Sequence, residues 1–256
     1  MDRIGIVLSG GGARGAAHIG VLQALNENNI FPDQVSGTSA GSIIGALYCA
    51  GYTPFEILKL SHEKAFLKIF KIGFLNKGLT ELTYLKDFLK DHIVINKFEE
   101  LKLPLHVCIS NLNSGKFEIV SEGELFEVLA ASCALPLLFK SVKIKENSYV
   151  DGGLLNNLPV EPLLKKCTKI IGISLCPHET IKDEVKGFRN IAERCLQLAI
   201  WGTVQNRLKQ CDVAIEIKKS FEYGIFDVKK FDKLFAIGYE STLERIDEIK
   251  GKVIIK

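Results

Sequence analysis

Short apolar runs and helix-periodic stretches alternate along the first fifth of the chain. Ile4–Leu8 is a continuous apolar run of strand length, and residues 13–28 place apolar side chains at helical spacing. Residues 34–36 predict a second short strand, and residues 39–50 predict a second helix that Gly51 closes. Because parallel neighbours need a crossover connection, this strand–helix–strand–helix order predicts a parallel sheet.

The same alternation continues to the end of the chain. Further helices are predicted at 54–71, 81–91, 123–134, 159–166, 186–210 and 227–249. Further strands are predicted at 105–110, 116–120, 148–150, 169–175 and 213–217, whereas 253–255 receives no assignment. The sequence contains no internal repeat, low-complexity segment or Pro/Ser-rich linker, so residues 1–256 are expected to form one α/β domain.

The composition is that of a globular protein with an ordinary core. Apolar residues make up 47% of the 256 residues, which is enough for a buried core. The formal net charge is only +3, and the sequence has no basic or acidic tail. This balance does not favour nucleic acid as a partner. No feature of the sequence specifies an oligomeric state.

The chain carries no sequence signal for secretion or for membrane insertion. The run Ile4–Leu8 is too short for the hydrophobic region of a signal peptide, and no stretch approaches the ~18–20 uninterrupted apolar residues of a membrane span. The seven cysteines include no Cys-x-x-Cys pair and lie mostly among apolar residues, which indicates reduced thiols and no zinc site. We therefore expect a cytoplasmic protein that could touch membranes only peripherally.

A serine lies at the junction of the second predicted strand and the second predicted helix. Ser39 is the centre of Gly37-Thr-Ser-Ala-Gly41, which matches the Gly-x-Ser-x-Gly pattern of a strained strand-to-helix turn. Such a turn exposes the serine hydroxyl to a substrate. Alone, the pattern is also compatible with a surface turn that contains structural glycines, but the flanking strand and helix favour the nucleophile.

A glycine-rich loop occupies the equivalent place after the first predicted strand. Gly10-Gly-Gly-Ala-Arg-Gly15 would leave backbone N–H groups free at a helix N-terminus, where they can bind a phosphate or the oxyanion of an acyl-transfer intermediate. The loop also satisfies Gly-x-Gly-x-x-Gly, but no acidic residue ends the second strand, and the Gly-Lys-Ser/Thr of a nucleotide loop is missing. A nucleotide- or anion-binding module remains the alternative.

A serine nucleophile needs a base, and the sequence offers two kinds. Asp151 ends a predicted strand and precedes two glycines that allow close approach. Burial beside a serine hydroxyl would raise the pKa of its carboxyl and make it a better base. His178 follows Asp151 in the order of a Ser–Asp–His triad, so that arrangement is the competing hypothesis. The other histidines show no paired arrangement.

Four segments together resemble, in the same order, the four sequence blocks of the patatin-like phospholipases. They are Gly10-Gly-Gly-Ala-Arg-Gly15, Gly37-Thr-Ser-Ala-Gly41, Ala131-Ser-Cys-Ala-Leu-Pro136 and Asp151-Gly-Gly153. The resemblance is close over residues 4–160, and residues 211–216 and 224–227 resemble the small single-domain bacterial members. The chain departs from the pattern at residues 137–140, which read Leu-Leu-Phe-Lys where a Gly- and Pro-containing run is expected.

The resemblance implies a fold, an activity and a set of roles. The fold is a three-layer α/β sandwich with a central, mostly parallel sheet flanked by helices. The activity is hydrolysis of lipid or other carboxylic esters through an acyl-enzyme, without metal or other cofactor; transfer of the acyl group to another acceptor is the alternative. The implied roles are Ser39 as nucleophile, Asp151 as base, Gly10, Gly11 and Gly12 as oxyanion hole with Arg14 in support, Gly37 and Gly41 as elbow glycines, and Ser132, Pro136, Gly152 and Gly153 as scaffold.

One further segment has the pattern of a lipid-contacting helix. Residues 64–77 contain four lysines and no acidic residue, and Phe66, Phe70 and Phe74 recur every four residues. A basic amphipathic stretch with aromatic residues can lie on an anionic lipid surface. The alternative is a helix whose phenylalanines face the core while its lysines are solvated.

Overall fold

The fold is a single sheet with helices on both faces. The computed structural model describes residues 3–69, 82–94, 96–176, 180 and 184–253. Its strands are β1 (Ile4–Leu8), β2 (Gln34–Thr38), β3 (Leu105–Asn111), β4 (Lys116–Val120), β5 (Val142–Ile144), β6 (Asn147–Asp151), β7 (Lys169–Ser174) and β8 (Val213–Glu216). They lie in the order β5-β6-β3-β2-β1-β7-β8, and β4 also pairs with β3.

The middle of the sheet is parallel and one end is antiparallel. Strands β1, β2, β3, β7 and β8 run in the same direction, as the strand–helix order predicts. Strands β4, β5 and β6 are antiparallel to their neighbours. The predicted α/β fold with a mostly parallel central sheet is therefore confirmed. The antiparallel β6 matters for the site, because it ends at Asp151 beside the end of β2.

Helices cover both faces of the sheet, because the side chains of its strands point alternately into two apolar cores. The helices are α1 (Ala16–Glu27), α2 (Ala40–Ala50), α3 (Pro54–Ser61), α4 (Lys64–Ile69), α5 (Thr83–His92), α6 (Leu125–Ser132), α7 (Phe188–Leu208), α8 (Phe231–Leu243) and α9 (Ile246–Val253). On β1, Ile6 and Leu8 pack into the larger core, whereas Val7 points to a smaller core with Val204 and Leu208 of α7. Because successive side chains point to opposite faces of the sheet, each face packs against its own layer of helices, which gives three layers.

The predicted helix at 159–166 is wrong. The segment is a series of tight turns, in which the amides of Leu163 and Lys166 bond to carbonyl groups three residues earlier. Pro162 explains the difference, since a proline disfavours the α conformation at the preceding residue and supplies no N–H of its own.

Two other predicted helices are each interrupted by a short break. The predicted helix at 54–71 is divided between α3 and α4 near His62, and its last two residues lie outside the described part of the chain. The predicted helix at 227–249 is divided between α8 and α9, and the short edge strand β5 was not predicted. Within the described residues, no helix has both the length and the hydrophobicity needed to cross a bilayer.

Candidate active site

Ser39 occupies a strained turn between β2 and α2. Its backbone has φ 52° and ψ −124°, a conformation that non-glycine residues rarely adopt, and its side chain is partly exposed. The two flanking glycines allow this turn for a steric reason. A Cβ atom on Gly37 would meet the Gly41 carbonyl, and one on Gly41 would meet the carbonyls of Leu8 and Ser9. The Gly-x-Ser-x-Gly pattern therefore forms a tight elbow, as the sequence predicts.

Asp151 lies beside the Ser39 hydroxyl and is almost completely buried. It is the last residue of β6, where it pairs with Ile109 of β3, next to the Thr38–Cys108 pair that precedes Ser39. Its side chain is 4% exposed, accepts a hydrogen bond from the Gly153 amide at 2.8 Å, and lies close enough to the Ser39 hydroxyl for that hydroxyl to lower its pKa. Burial raises the pKa of the Asp151 carboxyl to about 6, although the nearby Ser39 hydroxyl and the Gly153 amide act in the opposite direction.

The third sequence block holds both ends of this pair. The Ser132 hydroxyl accepts a hydrogen bond from the Ser39 amide at 2.9 Å and donates to the Cys108 carbonyl at 2.8 Å. The amide of Asp151 donates to the Ala134 carbonyl at 2.9 Å. The block ends in a turn that contains Pro136. Ser132 thus ties the elbow to β3, and the segment after it fixes the backbone of Asp151.

Gly152 permits the close packing of the Asp151 loop on the sheet. A Cβ atom on Gly152 would meet the Cys108 carbonyl, and one on Gly153 would meet the side chains of Asp151 and Asn157. Larger residues at either position would therefore push the loop away from β3. The two glycines let the backbone turn back immediately after Asp151 and bond to its carboxylate.

The glycine loop touches Ser39 through Gly10 and, among the described residues, has two amides without a protein acceptor rather than three. The Gly10 amide donates to Asn157 Oδ1 at 3.1 Å, so it is not available to a substrate and its predicted role in the oxyanion hole is wrong. In the described part of the chain, the amides of Gly11 and Gly12 have no protein acceptor. They come at the start of a short 3-10 helix, Gly12–Gly15, where the first N–H groups lack intrahelical partners. Two backbone donors are sufficient for an oxyanion hole.

Asn157 is a residue of the site that the sequence prediction missed. It is 2% exposed, and besides binding the Gly10 amide its side chain donates to Cys176 Sγ at 3.4 Å. It therefore connects the glycine loop to the turn that follows Asp151. In the sequence, Asn156-Asn157 is indistinguishable from an ordinary turn, because such residues commonly bond to nearby backbone.

Removal of the Asn157 side chain should loosen the glycine loop. We expect Asn157→Ala to lower kcat/KM for an ester by roughly ten-fold and to destabilise the fold by about 1–3 kcal/mol, because a buried amide loses its acceptor. Ser36→Ala is the matched control, since it also removes a buried side-chain hydrogen bond, from Ser36 Oγ to the Pro159 carbonyl at 2.6 Å. Equal losses of kcat/KM in both variants, after correction for the folded fraction, would remove Asn157 from the site.

Arg14 supports the glycine loop from behind. Its side chain is 6% exposed, donates from Nε to the Tyr223 carbonyl at 2.7 Å and lies over the Phe221 ring at 4.6 Å. The Ala13 amide donates to the Ile225 carbonyl at 2.8 Å. The loop is thus fixed to the segment between β8 and α8, and support of the oxyanion hole by Arg14 stays a prediction.

Four of the five histidines are engaged elsewhere. His18 is fully buried and bonds to the Ser9 carbonyl at 2.8 Å, and burial lowers its pKa to about 4, so it is neutral. His106 bonds to Gln34 in the core, while His62 and His92 pair with the carboxylates of Asp232 and Glu63. The competing base, His178, lies outside the described residues.

Phe66 is a core residue and not a surface contact for lipid. It is 4% exposed and packs edge-on against Phe88 and Phe231, with ring centroids 5.1 and 5.8 Å apart. Its predicted surface role is wrong because α4 turns this side chain towards α5 and α8. The other two predicted lipid contacts, Phe70 and Phe74, lie outside the described residues.

An apolar cavity lies directly behind the nucleophile elbow. Phe66 and Phe231 line it together with Gly12, Ala40 and Ile43, so it borders both the glycine loop and the residue after Ser39. Its volume is ≈ 20 Å³, which is about the space of one water molecule. The elbow therefore has an apolar wall on this side.

The chain matches a family model and longer curated relatives. Residues 6–164 match the model of the patatin-like phospholipases. "Lysophospholipase NTE1" of Kluyveromyces lactis is 27% identical over 284 aligned positions, which cover 97% of this chain and 19% of the relative. The protein of the same name from Saccharomyces cerevisiae is 27% identical, with coverage of 93% and 16%. The chain thus spans about one fifth of the length of the curated relatives it matches.

Solved structures with a similar fold come from two bacteria. VipD from Legionella pneumophila superposes with a TM-score of 0.58 at 15% identity, covering 97% of this chain and 67% of VipD. ExoU from Pseudomonas aeruginosa superposes with a TM-score of 0.51 at 14% identity, covering 96% of this chain and 53% of ExoU. At this identity the two structures support the fold alone. On the match over residues 6–164, the chain belongs to the patatin-like phospholipase family.

Proposed function

We propose that the chain is a serine acyl hydrolase that cleaves carboxylic esters of lipids, with Ser39 as nucleophile and Asp151 as general base. The observation that carries the proposal is the position of the Ser39 hydroxyl, on a strained elbow, beside the buried carboxyl of Asp151. The amides of Gly11 and Gly12, which lack protein acceptors among the described residues and follow Gly10 in the loop that touches the elbow, support the same chemistry. Family membership adds to it, since the matching model describes phospholipases.

The first half of the reaction forms an acyl-enzyme. The Asp151 carboxylate accepts the proton of Ser39 Oγ while Oγ attacks the ester carbonyl carbon. The carbonyl oxygen becomes an oxyanion, which the amides of Gly11 and Gly12 stabilise by hydrogen bonds. The tetrahedral intermediate then collapses, the C–O bond to the leaving alcohol breaks, and Asp151 returns the proton to that alcohol. The acyl group remains on Ser39.

The second half releases the acid and restores the serine. Asp151, ionised again, removes a proton from a water molecule that attacks the acyl carbonyl carbon. The same two amides stabilise the second oxyanion, and Ser39 Oγ leaves with the proton that Asp151 received. One aspartate performs both proton transfers. Because its pKa is raised towards neutral pH, the Asp151 carboxylate accepts a proton in one step and the carboxylic acid returns it in the next.

The raised pKa of Asp151 predicts how activity changes with pH. The carboxylate must be ionised to accept the proton, so kcat/KM should decrease about ten-fold per pH unit below the Asp151 pKa of about 6. Above that pH the profile should be flat until another group titrates. The measurement is the pH dependence of kcat/KM for a soluble p-nitrophenyl ester. An apparent pKa near that of histidine that disappears in His178→Gln would assign the base to His178.

A substrate panel tests the proposed function. The panel contains p-nitrophenyl esters, lysophospholipids and diacyl phospholipids, and it compares wild type with Ser39→Ala. The curated relatives are named lysophospholipases. We therefore expect release of free fatty acid from lysophospholipid, lost in Ser39→Ala. An acyl product on another alcohol, without free acid, would indicate a transferase, and no turnover of any ester would contradict the proposal.

The cysteines bear on where the enzyme acts. All seven are free thiols, and burial raises the pKa of six of them, namely Cys49, Cys108, Cys133, Cys167, Cys176 and Cys211. Reduced, protonated thiols are typical of the cytoplasm, where disulfides are rare. We propose the cytoplasm as the site of action, with substrate reached at the surface of a lipid aggregate.

A further inference from the structure

Helix α7 exposes an apolar stripe along its N-terminal two thirds. Phe188 is 90% exposed, Ile191 49% and Leu198 42%, and Cys195, Ala199 and Gly202 are exposed between and beyond them. We call these six residues the α7 stripe. Their spacing of three and four residues puts them on one face of the helix. Single exposed apolar residues scattered over a surface are ordinary. A contiguous exposed apolar stripe of this kind instead marks an interaction site.

The opposite face of this part of α7 is only partly covered by the body of the protein. None of the residues from 188 to 203 whose burial is described is buried, whereas Val204 and Leu208, near the C-terminal end, pack in the smaller core. The helix is thus packed most closely at its C-terminal end. An amphipathic helix ordinarily turns its apolar face to the core. Here that face is left for something outside the described chain.

The stripe leads to the candidate active site. Its last member, Gly202, is next to Thr203, whose hydroxyl accepts a hydrogen bond from the Asn157 amide at 3.0 Å. One turn further, Arg207 donates to Glu161 at 2.7 Å, in the segment that follows Asp151. A surface that docks on the stripe would therefore lie along the edge of the molecule that carries the Asp151 loop.

The charge of this helix identifies what the stripe binds. Residues 186–209 contain five basic residues and one acidic residue, a formal charge of +4, whereas the whole chain carries +3. Helix α7 itself carries +2, Lys186 and Lys209 at its two ends add the other two charges, and Arg207 pairs with Glu161. Apolar side chains with a basic surround are the pattern of a helix that lies in the interface of an anionic membrane.

A second copy of the chain fits the stripe less well. The stripe is about 21 Å long and about 10 Å wide, or about 200 Å², whereas a stable protein interface buries about 800 Å² on each partner. Two copies would also bring together two positively charged segments, each with a formal charge of +4 over residues 186–209. Docking on a lipid surface does not require the contact area of a stable protein interface. The anionic head groups are also attracted to this positive charge.

We propose that the α7 stripe docks the protein on the surface of an anionic phospholipid bilayer. Phe188, Ile191 and Leu198 enter the interface, and the basic residues of the helix stay at the level of the head groups. This inference rests on the proposed function for its purpose, which is to bring the Asp151 edge to lipid esters. It moves the membrane contact from residues 64–77, where the sequence suggested it, to α7.

Vesicle sedimentation tests the proposal without any need for catalysis. The protein is used as the Ser39→Ala full chain, so that the lipids are not consumed, with vesicles of phosphatidylcholine alone or mixed with phosphatidylglycerol. We expect binding to the mixed vesicles that decreases with salt, and a decrease of roughly ten-fold or more in the triple variant Phe188→Ser, Ile191→Ser, Leu198→Ser. Because the three side chains are exposed, the variant should fold normally.

A matched control separates the stripe from general surface hydrophobicity. Phe31 and Phe55 are 55% and 56% exposed outside α7, so Phe31→Ser, Phe55→Ser makes the same chemical change elsewhere. Binding should be unchanged in this double variant. The proposal is overturned if the chain with an intact stripe does not bind the mixed vesicles, if both variants lose binding equally, or if light scattering shows a dimer that only the triple variant dissociates.

The test also distinguishes this inference from the proposed function. With Ser39 intact, the triple variant should hydrolyse a soluble p-nitrophenyl ester at the wild-type rate and lose activity only on vesicle lipids. If no form of the chain hydrolyses any ester, the proposed function fails while the sedimentation result stands. If the soluble ester is cleaved but the stripe is not needed for vesicles, only the docking inference fails.

Discussion

Replacing Asp151 with asparagine is expected to lower kcat/KM for a soluble ester by about 10²–10⁴-fold, the range associated with loss of a general base. The amide keeps the shape of the side chain but cannot accept the Ser39 proton. Ser39→Ala should cost more, about 10⁶-fold, since no nucleophile remains. The measurement is steady-state hydrolysis of a p-nitrophenyl ester by the two variants and the wild type at the same concentration of folded protein.

Thermal unfolding provides the control for the Asp151→Asn variant. Burial raises the pKa of this carboxyl from 3.8 to about 6, so above that pH the folded chain carries a charge that its surroundings disfavour. Removing the charge removes that cost, and we expect the Tm of the variant at mildly alkaline pH to equal or exceed that of the wild type. Substantial hydrolysis by a well-folded Asp151→Asn protein would transfer the role of base to His178.

Replacing Gly12 with alanine is expected to lower kcat/KM by about 10²–10³-fold, the usual cost of losing an oxyanion donor. Gly12 has φ +59°, and a Cβ atom there would meet the backbone carbonyl and the side chain of Ile225. The loop must shift to relieve that contact, and the amides of Gly11 and Gly12 would shift with it. Hydrolysis of the same ester measures the loss, mainly in kcat because the donors act on the transition state.

Gly115→Ala is the matched control for this variant. Gly115 has φ +67°, so alanine brings a similar backbone strain, but nothing lies within 4 Å of the added Cβ atom. We expect Gly115→Ala to reduce stability somewhat and to leave kcat/KM within about two-fold of wild type, since strain at a distant turn does not move the site. Near-wild-type activity of Gly12→Ala would indicate that other donors, such as the Ala40 amide at the start of α2, bind the oxyanion.

The sequence predicted the parts of the fold whose signals are local. The strand β2, the elbow at Ser39 and helix α2 follow from an apolar run, a Gly-x-Ser-x-Gly pattern and a helical period, all within 17 residues from Gln34 to Ala50. The same holds for β1 and the glycine loop. Each of these elements carries its own pattern, and the crossover rule then makes their strands parallel.

The assembly of the site depends on contacts that no local pattern specifies. Asp151 reaches Ser39 because β6 is antiparallel to β3 and ends beside the end of β2, and strand direction at the edge of a sheet is a property of the whole fold. Asn157 belongs to the site only because the chain returns to Gly10, which is 147 residues earlier. The loss of the Gly10 amide as a donor follows from the same contact.

The predicted membrane contact shows what a helical spacing of apolar residues cannot establish by itself. Residues 64–77 have aromatic side chains at a helical spacing, and so does a helix that packs on a core, which is where Phe66 lies. The α7 stripe has the same kind of spacing but remains exposed. A period shows that one face of a helix is apolar, and only the tertiary structure shows what that face meets.

Covalent labelling with a fluorophosphonate probe, followed by mass spectrometry of the digested protein, tests the central claim most directly. The claim is that the Ser39 hydroxyl is the activated nucleophile and that Asp151 activates it. We expect a single phosphonylated residue, Ser39, with labelling that is absent in Ser39→Ala and at least about ten-fold slower in Asp151→Asn. Absence of label on the wild type, label on another serine, or equally fast labelling of Asp151→Asn would contradict it.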